Sequence, residues 1–236
     1  MSCSVQSDSC GNCPNRQYTE WRDLTPKNLA KLESGMRPND YAPGEVLYHQ
    51  GDEVDGVFCI KSGLIGERHV EADGHSMLVR LHQPGSTVGY QEFLTKGRYR
   101  NTAEVLQQSH ACFIDRATIA ELLVNDPSVG QRFLQRSLKD TEDMEKNYVS
   151  SKTMDLRRRL LHLILVLYQR FGREELDGSG FLKVPIAKKD LAELAGTVPE
   201  TLSRTIKKLR TENLVIFSGN DVVIPDLDAV LDEIYD

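Results

Sequence analysis

The alternation of apolar and polar positions divides the chain into a β-rich first half and a helical second half. Between residues 40 and 114, short apolar and β-branched runs are separated by turn pairs such as Pro43-Gly44. Strands this short, with turns at this spacing, are typical of an antiparallel barrel or sandwich. The predicted strands are residues 46–48, 56–60, 64–66, 76–81 and 111–114, and residues 61–63 are predicted as a turn.

Helical periodicity precedes the β-rich region and resumes after it. The first predicted helix has Thr25 as its N-cap and Pro26 at the first helical position, where proline is well tolerated. Residues 172–180 are predicted as a polar loop and residues 182–184 as a short strand. The predicted helices of these regions are residues 26–35, 116–123, 127–152 and 156–171.

The helix predicted at residues 127–152 has few apolar residues, at a spacing near 3.5 residues with charged residues between them. A long helix with one narrow apolar stripe usually buries that stripe against a second copy of itself. Packing along the flank of the β-rich domain is the alternative. The predicted stripe consists of Val129, Phe133, Leu134, Leu138, Thr141, Met144 and Tyr148.

Two short helices around Gly196 give the strongest pattern in the second half. The first covers residues 188–195 and the second runs through Arg210. Thr197 and Glu200 are predicted to form a capping box at the start of the second helix, because they are three residues apart. The predicted buried stripe of that helix is Leu202, Ile206 and Leu209, and its outward residues are Pro199, Glu200, Ser203, Arg204, Lys207 and Lys208.

Two short helices joined by a turn that contains glycine can place the second helix in the major groove of DNA. There the side chains of Arg, Glu and Ser can form hydrogen bonds with base edges. Residues 215–217 and 222–224 are predicted as a β-wing. Residues 181–218 carry seven basic and four acidic side chains, a local charge of +3, although the whole chain has a net charge of −6. These features favour DNA binding over a helical hairpin with a solvated charged face.

Length and composition exclude other classes. At 236 residues with 39% apolar content, the chain can form a hydrophobic core without stabilisation by a disulfide or a structural metal ion. It has no run long enough for a membrane span and no signal peptide at its start, so a cytoplasmic protein is expected. No P-loop, H-E-x-x-H or G-x-S-x-G motif is found, and no enzymatic activity is expected.

Together these elements resemble the CRP/FNR superfamily of bacterial transcription regulators, from about residue 20 to the end. The resemblance rests on the turn motifs at residues 44–47, 51–52 and 60–63 and on the second helix, which reads P-E-T-L-S-R at residues 199–204. It implies an α+β fold: an N-terminal double-stranded β-helix (a jelly roll of the cyclic-nucleotide-binding type), a long dimerisation helix and a C-terminal winged helix-turn-helix. The implied divisions are a cysteine-rich arm (1–19), a sensor β-roll (20–124), the dimerisation helix (125–153) and the DNA-binding domain (154–236).

The E-T-x-S-R form of the second helix resembles the FNR-type branch. In that branch the matching residues, Glu200, Ser203 and Arg204, read a TTGAT half-site, and Pro199 replaces the base-reading Arg of the cyclic-AMP branch. The implied partners are double-stranded DNA, a second copy of the chain and RNA polymerase, with no membrane partner. Further DNA contacts are expected from Thr201, Lys207 and Lys188, and dimer contacts from Leu134, Leu138, Thr141, Met144 and Tyr148.

The cyclic-nucleotide branch uses residue pairs that this chain lacks. Where that branch has Gly-Glu and Arg-Ser, this chain has Gly89-Tyr90 and Arg100-Asn101. The Thr-Ser pair that holds adenine aligns with Met144-Glu145. Because these side chains cannot replace the lost hydrogen bonds, at about 1–3 kcal/mol for each unpaired group, no cyclic nucleotide is expected.

The five cysteines offer a different sensor. The FNR branch binds a [4Fe–4S] cluster with four cysteines, three near the N-terminus and one in the β-roll, and the resemblance assigns these roles to Cys3, Cys10, Cys13 and Cys112. The branch usually has C-x2-C-x5-C, whereas this chain has C-x6-C-x2-C. A zinc site or a thiol–disulfide switch could use the same thiols. Cys59 is interpreted as a buried small hydrophobic residue.

Overall fold

The computed structural model describes residues 9–235, so Cys3 lies outside the described residues. The chain divides into two compact units, with the boundary between Thr141 and Glu142. This boundary falls inside the long helix, which spans Pro127–Thr153.

The first unit is built on an antiparallel sheet that folds into a β-roll. The strand order is β1-β6-β3-β4, with β2 also paired to β6 and β5 to β3. This topology and the helix-turn-helix described below confirm the predicted fold class. The strands are β1 (Met36–Tyr41), β2 (Val46–Tyr48), β3 (Gly56–Val70), β4 (Ser76–His82), β5 (Thr87–Val88) and β6 (Thr102–Asp115).

The turn predicted at residues 61–63 is wrong, because these residues continue β3. The strand passes through this stretch with three shifts of register against β6, between Ile60 and Ile65. Gly63 has a φ of +90°, and a Cβ at this position would lie 2.4 Å from the carbonyl oxygen of Gln108. The glycine therefore marks a bulge where two backbones approach closely, and not the end of a strand.

Three helices of the first unit agree with the predicted ones, whereas the short helix at Tyr90–Leu94 was not predicted. Thr25 accepts a hydrogen bond from the amide of Asn28 at the start of the first helix, and Asp115 accepts one from Thr118 at the start of the third. Within the cysteine-rich arm that the resemblance implied, Cys10–Asn12 and Arg16–Tyr18 form single turns of 3-10 helix. The helices are α1 (Pro26–Ser34), α2 (Tyr90–Leu94), α3 (Arg116–Asn125) and α4 (Pro127–Thr153).

The second unit packs helices against a four-stranded antiparallel sheet of order β7-β8-β10-β9. The polar loop predicted at residues 172–180 instead begins with a strand, which pairs with β8 as a hairpin. Strands β9 and β10 form the predicted wing. The elements are α5 (Leu156–Phe171), β7 (Gly172–Glu174), β8 (Gly180–Lys183), α6 (Lys188–Leu194), α7 (Pro199–Thr211), β9 (Ile216–Ser218), β10 (Asp221–Ile224) and α8 (Leu227–Tyr235).

The predicted capping box at the start of α7 is wrong. The N-cap is Val198, in an extended conformation, and no side chain caps this helix end. Pro199 occupies the first helical position, and proline forces the residue before it into an extended conformation. The helix therefore starts one residue later than a Thr197 cap would require, and Glu200 becomes an exposed residue of the first turn.

Candidate functional site

Helix α7 presents a polar face on the side opposite its buried one. Leu202, Ile206 and Leu209 are buried, as predicted, whereas Glu200 and Arg204 are exposed. At about 100° of rotation per residue, the side chains at positions 200, 203, 204 and 207 share one arc of the helix. Side chains of the types that bond base edges therefore point outward together.

Two hydroxyls of this helix are engaged with its own backbone. Ser203 Oγ donates a hydrogen bond to the carbonyl oxygen of Pro199, at 2.6 Å, and the Thr201 carbonyl accepts one from Thr205. Ser203 and Thr201 are half-buried, whereas Lys207 is exposed. Because the Ser203 hydroxyl donates its hydrogen to the backbone, its oxygen can still accept a hydrogen bond from a bound molecule.

The turn before α7 is held in place by the neighbouring helices. Gly196 adopts a φ of +68°, and the amide of Thr197 donates to the carbonyl of Ala192 at 2.9 Å. Arg159 of α5 donates to the carbonyl of Ala195 at 3.1 Å. Lys188, at the start of α6, is exposed. The α6–α7 pair is thus fixed on α5 with its charged face open.

In the first unit, four cysteines line one cavity of about 30 Å³. Cys10 and Cys13 lie on the first 3-10 turn, where the Cys13 amide donates to the Cys10 carbonyl at 3.2 Å. Cys59 on β3 and Cys112 on β6 are directly opposite each other in the strand register. We call this the cysteine cavity, and none of its four cysteines is in a disulfide.

The interpretation of Cys59 as only a core residue is incomplete. It is half-buried, its side chain lines the cysteine cavity, and its Sγ accepts a hydrogen bond from Trp21 Nε1 at 2.9 Å. Thr87 Oγ1 lies 3.8 Å from the same sulfur. Its sequence neighbours, Phe58 and Ile60, suggested a hydrophobic environment, and no local pattern indicated that its partner would be Cys112.

The turn that carries Cys10 is attached to α1 through Glu33. The Gly11 amide donates to Glu33 Oε1 at 2.9 Å, and the hydroxyl of Ser9 donates to the same oxygen. The Ser9 hydroxyl, followed by the Gly11 amide, lowers the pKa of Glu33 below its ordinary value. A charged Glu33 thus holds this turn against α1.

Both thiols with a resolved shift are held in the protonated form by their surroundings. Burial, and then Cys13, raises the pKa of Cys10 to about 12, although Arg16 acts in the opposite direction. Burial raises the pKa of Cys59 well above its ordinary value, although the hydrogen bond from Trp21 acts to lower it. These thiols therefore become thiolates only when something replaces the proton, as a bound metal does.

The donor set of the cysteine cavity fits an iron–sulfur cluster. Four cysteines are the usual ligand set, and Arg16 and Lys61 also line the cavity, where positive charge offsets thiolates. Within residues 9–235, no three His, Cys, Asp or Glu side chains converge closely enough to hold a single metal ion. The cavity has the volume of about one water molecule in the liquid, so a larger group enters only if its lining residues move apart.

A second polar cluster fills the interior of the β-roll. The Glu67 carboxylate accepts a hydrogen bond from Tyr48 Oη at 2.9 Å, and lies 3.4 Å from His82 Nε2 and 4.0 Å from Arg80. We call these four residues the Glu67 network. Burial alone would raise the pKa of Glu67, but His82, Arg80 and Tyr48 outweigh it and lower the pKa to about 2. No local sequence pattern indicated this network.

The residues aligned with the nucleotide-binding pairs contact other side chains of the same unit. Arg100 donates to Glu92 and to Gln91, each at 2.8 Å. Tyr90 Oη donates to Asp140 of α4, also at 2.8 Å. Both positions therefore have internal partners in this structure.

The predicted stripe on α4 divides between two faces. Val129 and Phe133 are buried in the core of the first unit, and Phe133 contacts the rings of Trp21 and Tyr90. Leu134 and Leu138 lie on another face, because they are rotated by about 100° and 140° from Phe133. Met144 and Tyr148 return towards the Phe133 side of the helix, but they lie beyond Thr141, where the first unit ends. The exposed apolar residues of α4 are Leu134, Leu138, Met144, Tyr148 and Val149, between 56% and 66% exposed.

Comparison with known families agrees with both units. Residues 38–126 match the cyclic nucleotide-binding domain, and residues 158–232 match the Crp-like helix-turn-helix domain. The two domains define a DNA-binding transcription regulator. The chain belongs to the CRP/FNR family, whose members are transcription regulators and not enzymes.

Individual relatives are similar over nearly the whole chain. The transcriptional activator protein FnrL of Cereibacter sphaeroides is 24% identical over 95% of this chain and 91% of its own length. The anaerobic regulatory protein of Haemophilus influenzae is 21% identical, over 94% and 86%. The structure of FixK2 from Bradyrhizobium japonicum matches with a TM-score of 0.71 at 18% identity, over 84% of this chain and 96% of that one. Among the described residues, no helix is both long and apolar enough to cross a membrane.

Proposed function

We propose that this protein is a homodimeric FNR-type regulator that binds TTGAT-like half-sites on DNA in the cytoplasm. It responds to oxygen, nitric oxide or redox state through a [4Fe–4S] cluster held by its cysteines. When bound, such a cluster supplies a reactive iron–sulfur centre that oxygen or nitric oxide can destroy. RNA polymerase is the further partner that the family implies.

The observation that carries the sensing proposal is the contact between the cysteine cavity and α4. Trp21 donates its indole hydrogen to Cys59, and its ring packs edge-on against Phe133 of α4 with the centroids 5.5 Å apart. Any displacement of the Cys59 sulfur therefore acts on a side chain that contacts the dimerisation helix directly.

The neighbouring Glu20 makes a second connection to the same helix. Its carboxylate is buried, pairs with Arg136 and accepts the hydroxyl hydrogen of Thr87. Its carbonyl oxygen accepts a hydrogen bond from Arg132 at 2.6 Å. Two adjacent residues, at positions 20 and 21, thus join the cysteine cavity to three side chains of α4.

Dimerisation is assigned to the exposed face of α4. Leu134, Leu138, Thr141, Met144 and Tyr148 supply a row of side chains that a twin helix would cover. By resemblance, Met144 stands where the FNR branch has an acidic residue that opposes dimerisation without a cluster. We therefore expect dimers that persist when the cluster is lost.

The DNA assignment is tested with Arg204→Ala, measured by anisotropy on a duplex with two TTGAT half-sites about 34 Å apart. Loss of a bidentate base contact costs about 1–3 kcal/mol per half-site, or about 5- to 150-fold in affinity. Arg210→Ala is the matched control, because it removes the same charge from another face of α7. An equal loss on unrelated DNA would show that Arg204 contacts phosphate and does not read bases.

The dimer face is tested with Leu138→Asp, which places a charge in the row. Analytical ultracentrifugation is expected to show a monomer, because an unpaired carboxylate cannot be buried at a helix–helix seam. Asn147→Asp introduces the same charge at an exposed position on another face of α4 and is expected to remain dimeric. If both variants remained dimeric, the dimer interface would lie outside this face of α4.

The sensing assignment is tested by anaerobic purification of the full chain, followed by a visible absorption spectrum and an iron and sulfide assay. About four irons and four sulfides per chain are expected, and exposure to air is expected to bleach the protein. A colourless protein with bound zinc would contradict a cluster. A colourless protein without any metal would also contradict it and would favour the second candidate function, which is described next.

A thiol–disulfide switch is that second candidate. Cys59 and Cys112 are directly opposite on adjacent strands, which is one arrangement from which two thiols can be joined. The reaction releases two protons and transfers two electrons to an oxidant such as a small disulfide. Mass spectrometry of the oxidised protein, without reduction, would detect the linked pair.

A further inference from the structure

Four cysteines already surround the cysteine cavity without any contribution from residues 1–8. Cys10 and Cys13 approach from the N-terminal turn, and Cys59 and Cys112 from the sheet. Residues directly opposite on antiparallel strands project to the same face, so Cys59 and Cys112 present their sulfurs to the same side. The four thiols thus come from two adjacent strands and one short turn.

The four cysteines line one cavity, and their side chains do not converge to hold a single metal ion. In a [4Fe–4S] centre each thiolate binds a different iron, so the four ligands do not converge on one point. A single zinc ion needs its ligands to converge, with each sulfur about 2.3 Å from the metal. Within residues 9–235 no such convergent group exists.

Cys59 has the environment of a ligand. The Trp21 indole donates to its sulfur at 2.9 Å, and hydrogen bonds to ligating sulfurs orient them and set the potential of a cluster. Trp21 is 1% exposed, so this donor has no access to solvent and has the Cys59 sulfur as its partner.

We infer that Cys10, Cys13, Cys59 and Cys112 are the four cluster ligands, and that Cys3 is not one. This inference rests on the cluster proposed above and changes its ligand set. On binding, each of the four sulfurs exchanges its proton for a bond to iron, and the side chains of Arg16 and Lys61 offset the negative charge that results.

The inference is tested with two matched variants of the full chain, Cys59→Ala and Cys3→Ala, purified anaerobically. Iron and sulfide per chain and the visible absorption band are measured for both. The wild type and Cys3→Ala are expected to carry the same iron content, and Cys59→Ala is expected to lose most of it. The melting temperature of the iron-free proteins checks that Cys59→Ala still folds.

Thiol labelling of the wild type gives a readout that needs no substitution. N-ethylmaleimide is added to the iron-loaded and the iron-free protein under anaerobic conditions, and modified cysteines are identified by mass spectrometry. Cys3 is expected to react equally in both forms, because a cysteine that binds no iron gains no protection from it. This measurement decides the assignment if Cys59→Ala fails to fold.

The outcomes separate the ligand set from the function. Loss of iron in Cys3→Ala, or protection of Cys3 in the loaded form, would overturn the inference and leave the proposed sensor intact. Full iron in Cys59→Ala would also overturn it. A wild-type protein that never binds iron and sulfide would overturn the proposed sensor, and the ligand assignment with it.

Discussion

The first unit contains two internal clusters of reactive side chains, and they differ in the chemical groups that surround them. In the Glu67 network a buried carboxylate has a hydroxyl, an imidazole and a guanidinium around it. The cysteine cavity is lined by thiols, which are weak hydrogen-bonding groups. The network therefore has its partners within the fold, whereas in the proposed sensor the cavity gains its strongest interactions when the cluster binds.

In the proposed sensor, this difference explains how a fold of the cyclic-nucleotide-binding type serves a different signal. Charged residues of the β-roll, including Arg100 and Glu67, have partners within the unit. The cysteine cavity instead lies between the N-terminal turn and the sheet, and Trp21 connects it to α4. In the proposed mechanism the responsive site has moved from the interior of the roll to the thiols beside α4.

The largest expected effect is that of Cys112→Ala, which removes a thiol from the cysteine cavity. Anaerobically purified protein should lose essentially all of its iron, because the cluster needs four thiolates. Arg100→Ala, a change among the charged residues of the roll, should keep the wild-type iron content. Iron retained in Cys112→Ala would remove the distinction between the two regions.

Next in size is the effect of Glu67→Gln on stability. The folded-state pKa of Glu67, about 2, lies below the ordinary value, so its charged form stabilises the fold above pH 4.5, and this contribution is lost as the pH falls through about 2. The shift corresponds to about 3 kcal/mol at pH 7. Urea unfolding should show this loss at pH 7 and a shrinking difference from the wild type towards pH 3.

The matched control for that measurement is Glu53→Gln. Glu53 pairs with Arg98 at 2.9 Å, but both side chains are more than 60% exposed, so its loss should cost less than about 1 kcal/mol. If Glu67→Gln were equally destabilised at pH 7 and pH 3, its carboxylate charge would not be the source of the stabilisation.

A smaller effect is expected from Trp21→Phe, which removes the hydrogen bond to Cys59 and keeps an aromatic ring against Phe133. Stability should fall by about 1 kcal/mol, and the absorption band and air sensitivity of the loaded protein should change. Tyr90→Phe removes the hydroxyl that donates to Asp140, keeps a ring beside the same Phe133, and should leave the band unchanged. Identical spectra in both variants would show that Cys59 is not bound to iron.

The smallest expected effect is that of cyclic AMP. A ligand at 100 times its dissociation constant stabilises its protein by about 2.7 kcal/mol, which shifts the melting temperature by several degrees. At about 1 mM nucleotide we expect no measurable shift, because Arg100 and Tyr90 already have internal partners. A clear shift would show that the interior of the roll still accepts a ligand.

Local sequence determined much of this protein. Turn residues and short apolar runs indicated the β-roll, and the Thr25 cap placed the start of α1 correctly. The spacing of Leu202, Ile206 and Leu209 identified the buried face of α7, although the predicted start of that helix was one residue too early. The outward face of α7, with Glu200 and Arg204, followed from the same periodicity. Each of these features depends on residues within one or two turns of each other, which is the range over which helical and strand periods operate.

Only the tertiary structure decided how the cysteine cavity is assembled and which side of α4 packs inward. Cys59 faces Cys112 because β3 and β6 pair in one register, and a shift of a single residue would turn Cys59 to the other side of the sheet. Phe133 is buried and Leu134 is exposed because one face of α4 meets the core of the first unit. Such choices depend on contacts between residues far apart in the chain, which no local pattern encodes.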